Sequence, residues 1–427
     1  MSLAVAGAAA PAPPPYMTPL IAQAQLLATH SWEWGTLSEA LLEWYDPQYA
    51  VFGDDPFPNG SIPRTDPNDV EGLKYAARHI RLDNVTLVEG DGSAGDPASL
   101  GVSAMLLGAS NRDYAAAAQH QHAHLTTAVP RWPNGAISHR DDYPELWADF
   151  VAMAPPFLAY YAVATGDARG LVDAARQVEL YADVLAVSGE GCACGYGAGG
   201  AADDSGGEKY SEPAEPGETN PNTKRQTTAS TTTPSPAGLW RHIVGPRNAD
   251  PGLWSTGNAW ASYGALRVLA TLSHSPFTAR ARSAPLTSAC ARLAALVKRI
   301  LDAAICLDDA EPAEPLLRNY LNDSSWFGDA AGTALLAAAA YRAVVLDEAT
   351  FPSDVYAAWA DEKREAVEAV VDPQTGIVGS VVNPLGWGDR TPAEKSPEAQ
   401  SFAIMMLAAY RDYVEKMGDG EAKDGEE

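Results

Sequence analysis

Residues 137–167 read ISHRDDYPELWADFVAMAPPFLAYYAVATGD. From Met153 to Ala164 the side chains are small or apolar almost all round, so a helix here must be buried on most sides. Thr165-Gly166-Asp167 then breaks it with a short polar turn. An aspartate in that position accepts backbone N–H bonds and starts the next helix. The residues that follow, Arg169 to Asp183, carry regular charge and read as a half-exposed helix. Buried helix, tight turn, half-exposed helix is a helical hairpin.

The same unit recurs along the chain. Helical segments are expected at 17–29, 33–46, 66–82, 97–109, 111–127, 146–164, 167–188, 257–273, 277–304, 327–346, 352–370 and 397–416, and no sustained strand alternation occurs. Leu100 to Leu107 and Thr333 to Val345 are apolar on most faces, whereas Asp361 to Glu368 are charged. Asn111-Arg112-Asp113 makes another polar turn. Six inner and six outer helices predict an all-α fold, an (α/α)6 barrel, in which 17–29 is the outer helix beside the last inner one. The barrel is expected to be one domain over 17–416, after a loose arm at 1–16 and before a charged tail at 417–427. Residues 189–237 are rich in Gly, Ser, Thr, Pro and Glu and read as a long loop inserted in that domain, either a lid or a disordered spacer.

Composition limits the function. The 427 residues are 46% hydrophobic and 20% charged, enough to build a large core. Against 29 Lys+Arg stand 55 Asp+Glu, a net charge of -26, which argues against nucleic acid and against electrostatic docking on anionic lipid. No run of about 18 apolar residues occurs, so no membrane span is expected. The first residues, MSLAVAGAAAPAPPP, lack a basic start and a strong apolar run; three Asn-x-Ser/Thr triplets, at Asn59, Asn84 and Asn322, tilt the expectation toward a secreted rather than cytoplasmic protein. Cys192 and Cys194 lie too close for an easy disulfide. Cys290 and Cys306 share a helical segment that would hold them about 24 Å apart, so buried or free thiols are expected. With eight His but no HExxH and no CxxC, neither a metal site nor a cofactor is expected.

The polar and aromatic residues gather at one end of the inner helices. Trp32 and Trp34 open the first, Asp96 the second, and His139, Trp147 and Asp149 the third. His242, Trp254, Asn258 and Trp260 surround the start of the fourth, Trp326 that of the fifth, and Trp387 and Glu398 that of the last. Inner helices of such a barrel run parallel, so these positions converge on one face. Indole faces stack on sugar rings, and carboxylate, amide and imidazole groups bind hydroxyls. Helix N-termini add partial positive charge, so an acidic protein can hold an anionic sugar there. Any single Trp in this set would serve equally well as core filler.

Here the sequence resembles a known family. His139, Tyr143-Pro144, Trp147-Ala148-Asp149, Met153 and Pro156-Phe157 resemble the pattern of the unsaturated rhamnogalacturonyl hydrolases of glycoside hydrolase family 105 and the related unsaturated glucuronyl hydrolases of family 88. GLWRHIVGPRNADPGLWSTGNAWASYGALRVL, with His242, Trp254 and Trp260, resembles a second block, and SPEAQSFAIMMLAAYRDYV the closing inner helix. The resemblance spans roughly residues 90–415. It implies the six-hairpin barrel and an anionic, pectin-type oligosaccharide bearing a C4=C5 double bond left by a lyase. It also implies a metal-free reaction in which Asp149 is general acid and base, assisted by Asp96 or, second, Asp91. The substrate-binding residues expected from the helix starts and the motif blocks together are His139, Trp147, His242, Trp254, Asn258, Trp260, Trp34, Trp326 and Trp387. One departure stands out: Trp254-Ser255-Thr256 lacks the family's Arg, which leaves Arg140, Arg241 or Arg247 to supply a positive charge. The acidic pair that often follows the second-block His is absent too. Two alternatives therefore stay open: a six-hairpin glycosidase or lyase acting on a saturated glycan with Asp149 and either Asp96 or Glu398, and a non-catalytic sugar-binding barrel. Asp96, before Pro97, also suits a helix cap.

Overall fold

The computed structural model describes residues 11–189, 191, 234–281 and 283–424. Residues 1–10 of the expected arm, nearly all of the 189–237 insertion, Cys192 and Cys194 among it, and the last three residues of the tail lie outside the described residues. The inner helices are α2 (Ser31–Tyr45), α4 (Gly101–Gly108) with the 3-10 turn Asp96–Leu100 leading into it, α6 (Phe150–Thr165), α8 (Ser255–His274), α11 (Ala330–Leu346) and α13 (Pro397–Asp424). Each packs on the next, and α13 returns to α2 to close the ring. Outside them, α3 (Glu71–Ala76) covers α2, α5 (Arg112–Ala123) covers α4, α7 (Ala168–Leu185) covers α6, α10 (Ala284–Asp309) covers α8, α12 (Ser353–Glu368) covers α11, and α1 (Met17–Leu27) covers α13. This is the expected (α/α)6 barrel.

Several boundaries differ from expectation for local reasons. The helix expected at 66–82 shrinks to α3, because Asp66 Oδ1 accepts the Asn68 N–H and turns the chain before Val70. The third inner helix starts late: Leu146–Trp147 form strand β1, antiparallel to β2 (Ile243–Val244). The segment at 277–304 divides into α9 (Pro276–Ala281) and α10. The last helix continues to Asp424 rather than ending at 416. Cys306 is disulfide-bonded, which overturns the free-thiol expectation. Cys290 is free, consistent with the expectation that it does not pair with Cys306.

Pro155 and Pro156 inside α6 remove the N–H groups that would bond to the carbonyls of Val151 and Ala152. Both carbonyls are used by α8. Gly264 lies so close that a Cβ there would meet Val151 O at 2.3 Å, and Arg267 Nη1 donates to Ala152 O at 3.3 Å. Arg267 also pairs with Glu39 Oε2 at 2.7 Å, and Arg342 with Glu43 Oε2 at 2.7 Å, all four groups buried. This ionic cluster fills the ring toward the C-terminal ends of the inner helices. Burial pushes the Glu39 carboxyl up to about 7 despite Arg267. The opposite end, where the inner helices begin, is open.

Candidate active site

Two short pairings assemble the open end. Ser93 bridges Arg140, and Ala94 N–H donates to His139 O, which sets Asp96 beside His139. Strand β1 pairs with β2, and Ala148 N–H donates to His242 O, which sets Asp149 opposite His242. The result is a cavity of about 260 Å³. Its walls include Trp32, Trp147, Trp254 and Trp387, the carboxyl groups Asp91, Asp96, Asp149 and Glu398, the imidazoles His30, His139 and His242, and Arg140.

His242 is the centre of the hydrogen-bonded part. Its Nδ1 lies 3.0 Å from Asp250 Oδ2, and that oxygen also accepts from Tyr320 Oη at 2.5 Å. Its Nε2 lies 3.4 Å from Asp149 Oδ2, off the line of a hydrogen bond, and neither of these two buried atoms has any other partner. Burial alone would depress the imidazole pKa, but Asp149 and Asp250 override it and hold His242 above its ordinary 6.5. Asp250 is held below the usual carboxylate range, since the His242 and Tyr320 hydrogen bonds outweigh its burial.

The far wall behaves oppositely. His139 stacks on Trp147 with ring centroids 4.8 Å apart, and burial pushes it down to about 4. Asp96, 3.7 Å from His139 Nε2, is pushed up to about 7 by burial, with Asp149 adding to the shift and the Ser93 hydroxyl opposing it. Glu398 is raised well above the ordinary range by burial and then by Asp149. The four tryptophans are fixed by their N–H groups or neighbours: Trp32 donates to Glu398 Oε1 at 2.8 Å, Trp147 to Glu145 Oε2 at 2.9 Å, and Trp254 to Asn319 Oδ1 at 2.8 Å. Asn319 Nδ2 in turn donates to the Trp387 carbonyl at 3.0 Å.

Of the residues singled out from the sequence, Asp149, Asp96, His139, Trp147, His242, Trp254 and Trp387 line the cavity. Four do not. Asn258 bonds the Trp240 and Trp254 backbones; Trp260 lies edge-on to Phe402 inside the ring. Trp34 stacks on His79, and Trp326 stands behind Tyr320 with Arg390 over its ring. Each is taken up by packing or backbone bonds, which is the core-filler role. Among the replacement arginines, Arg140 lines the cavity, its Nη2 donating to Asp91 O at 3.0 Å and its buried Nε unpartnered. Arg247 instead covers the Tyr143 ring. Thr256, where the resemblance calls for Arg, is buried against Asp329. His30, Asp250, Tyr320 and Glu145 were not found from the sequence. Asp250 left one usable signal, the Asp-Pro-Gly turn in which its Oδ1 accepts the Gly252 N–H.

No protein-family model matches the sequence, and no curated protein matches it. Solved structures do match. A possible member of the GH105 family from Salmonella enterica aligns with 14% identity and a TM-score of 0.60, over 93% of this chain and 92% of that one. A glycosyl hydrolase family 88 protein from Bacteroides vulgatus aligns with 11% identity and a TM-score of 0.55, over 93% and 97%. An unsaturated glucuronyl hydrolase specific for heparin aligns with 12% identity and a TM-score of 0.53, over 92% and 95%. The fold is the (α/α)6 barrel, which these solved structures share over 92–93% of this chain. Among the described residues no group of three or more His, Cys, Asp or Glu could hold a metal ion, and no helix is long and apolar enough to cross a membrane.

Proposed function

We propose that this protein is a glycoside hydrolase that removes an unsaturated uronic acid from lyase-generated, pectin-type oligosaccharides. One observation carries the reading: the buried Asp149 oxygen, without a hydrogen-bond partner, faces the Nε2 edge of His242 in a cavity walled by indoles. The indole faces supply stacking for one sugar ring, and a cavity slightly under the roughly 300–1,000 Å³ of small-molecule sites fits a terminal unit rather than a long glycan. The motif resemblance supports the unsaturated-uronide reading, and one neighbour in fold is an unsaturated glucuronyl hydrolase specific for heparin.

In this reading Asp149 donates a proton to C4 of the enol ether and then takes one from the water that adds at C5. The hemiketal so formed opens and the sugar unit leaves. One carboxyl serves both proton steps, which contrasts with glycosidases that place two carboxyl groups across the bond. His242, whose imidazole pKa is raised despite its burial, sits beside Asp149 and stabilises the carboxylate left when Asp149 gives up its proton. Asp96 assists from the opposite wall. The test is to mix the protein with lyase-digested pectin and follow the absorbance of the unsaturated uronide. Loss of that absorbance supports the proposal. Unchanged absorbance across several unsaturated oligosaccharides, with cleavage of a saturated glycan instead, replaces it with the two-carboxyl reading that pairs Asp149 with Glu398.

A further inference from the structure

Glu398 stands in the first turn of α13, where the helix dipole and the Trp32 N–H both favour an ionised carboxylate. Its surroundings oppose that. It is 2% exposed, and the groups that face it are acidic: Glu33 from α2, Asp149 before α6 and Asp329 before α11. Oε1 is satisfied by Trp32, but Oε2 is buried with no partner although the residue lines the cavity. Burial and Asp149 raise its pKa well above the ordinary range. A carboxyl that keeps its proton in this position has one free donor, and the residue lines the cavity. Two of these carboxylates are committed elsewhere: Glu33 caps the Thr29 and His30 N–H groups, and Asp329 accepts from Gly332 and Val382.

We propose that Glu398 is an uncharged carboxyl that donates from Oε2 to the carboxylate of an acidic sugar, and so makes the cavity selective for uronates over neutral sugars. The inference rests on the sugar-binding reading of the site but not on its chemistry. Arg140 is the one Lys or Arg side chain among the cavity-lining residues, against four carboxyl groups. A uronate is repelled less if part of that acid is neutral. An ionised Glu398 would repel the ligand, whereas a protonated one would contribute a charge-assisted hydrogen bond.

The test is equilibrium binding of D-galacturonate and D-glucuronate, and of D-galactose and D-glucose, by calorimetry at pH 5 and pH 8. Wild type, Glu398→Gln and Glu398→Ala are compared after thermal melts confirm that each folds. Gln reproduces the neutral acid, with an acceptor for Trp32 and a donor for the ligand. At pH 5, Glu398→Gln should bind the acids within a few-fold of wild type, and Glu398→Ala on the order of 10- to 100-fold more weakly. The neutral sugars should change less than about threefold, the small effect left when no charge assists the bond. Raising the pH to 8 should weaken wild type more than Glu398→Gln. Asp96 and His242 titrate in both proteins, and His139, pushed down to about 4, stays neutral in both, so the difference belongs to Glu398. Glu398→Gln as weak as Glu398→Ala at pH 5, or equal losses for acidic and neutral sugars, would overturn the proposal. Because no turnover is measured, the result is independent of the unsaturated-uronide assay: either can fail alone.

Discussion

Asp250→Asn isolates the contribution of one carboxylate to the charge on His242. In the native protein Asp250 Oδ2 accepts from His242 Nδ1 at 3.0 Å, while the imidazole side chain is wholly buried and the aspartate 17% exposed. A hydrogen bond to a charged group contributes about 1.5–3 kcal/mol. Asparagine keeps an acceptor and loses the charge, so a loss of about 2 kcal/mol is expected, and with it a change in the His242 pKa. The direction is downward, because Asp250 is one of the two groups that hold His242 above 6.5. Stability follows by linkage. A histidine whose folded pKa is raised stabilises fully below its unfolded value of 6.5 and loses that contribution as pH passes the folded value. An aspartate whose folded pKa is lowered stabilises fully above its unfolded value of 3.8. Both contributions are present between those limits, so the penalty of Asp250→Asn should be largest near pH 5 and should shrink by pH 8.5. At about 2.1 cal/mol/K per residue over 427 residues, 2 kcal/mol is a fall of about 2 °C in Tm. The assay is a histidine-ring NMR titration, with the His242 signal assigned by its absence in His242→Gln, together with melts at both pH values. An unmoved His242 titration, or an equal Tm loss at pH 5 and pH 8.5, would refute the assigned ion pair.

Asp149→Asn should cut loss of the unsaturated-uronide absorbance by about 100- to 10,000-fold, the usual range for a general acid, while leaving the melt unchanged; turnover near that of wild type would remove Asp149 from the chemistry. Asp96→Asn should stabilise the protein at pH 8 and leave it unchanged at pH 3.5. The native state keeps the Asp96 proton up to about 7 while the unfolded chain releases it near 3.8, a cost of up to about 4 kcal/mol at alkaline pH; equal melts at pH 8 would contradict this. Gly264→Ala should cost about 1–3 kcal/mol, read by denaturant melts, because its Cβ would meet the Val151 carbonyl at 2.3 Å between two inner helices. Arg267→Met should cost about 3–5 kcal/mol by leaving Glu39 without its nearest cation, and Glu39→Gln in the same chain should recover much of it.

The inner ring was legible because its helices are apolar on nearly every face, and because polar turns such as Thr165-Gly166-Asp167 end them. Asp167 does accept the Arg169 and Gly170 N–H groups. The β1–β2 pair was not, since it joins Trp147 to Ile243 across distant sequence and is too short to show alternation. Within the site, helix geometry explains the uneven result. Residues two apart on a helix point about 200° away from each other, so only one of Trp32 and Trp34 can face the cavity. Trp32 does, and Trp34 turns outward to His79. Trp254 precedes α8 and reaches the cavity, while Trp260 lies more than a turn inside and is claimed by the core. Proximity to a helix start was readable from the sequence; the direction of each side chain was not. Asp250 and Tyr320 escaped for a further reason: Asp250 touches His242 and Tyr320 touches Asp250, and neither lines the cavity.

Capping explains why acidic residues gather at the open end at all. Parallel inner helices present their partial positive ends together, and acidic residues are favoured in such first turns whatever the protein does. Convergence of carboxyl groups is therefore weak support for catalysis by itself. The hydrogen bonds separate the two uses. Glu33 and Asp329 spend their oxygens on backbone N–H groups and are accounted for by the helices they start. Asp149 occupies the cap position of α6 yet makes no cap bond, and Asp96 makes none either, its own N–H being bonded instead by Ser93. Glu398 leaves an oxygen unpaired. These three line the cavity, and the two committed caps do not. A carboxyl group that sits where a cap would stabilise the helix by about 1 kcal/mol, and forgoes it, needs another partner. The cavity at the open end of the barrel is a space all three share.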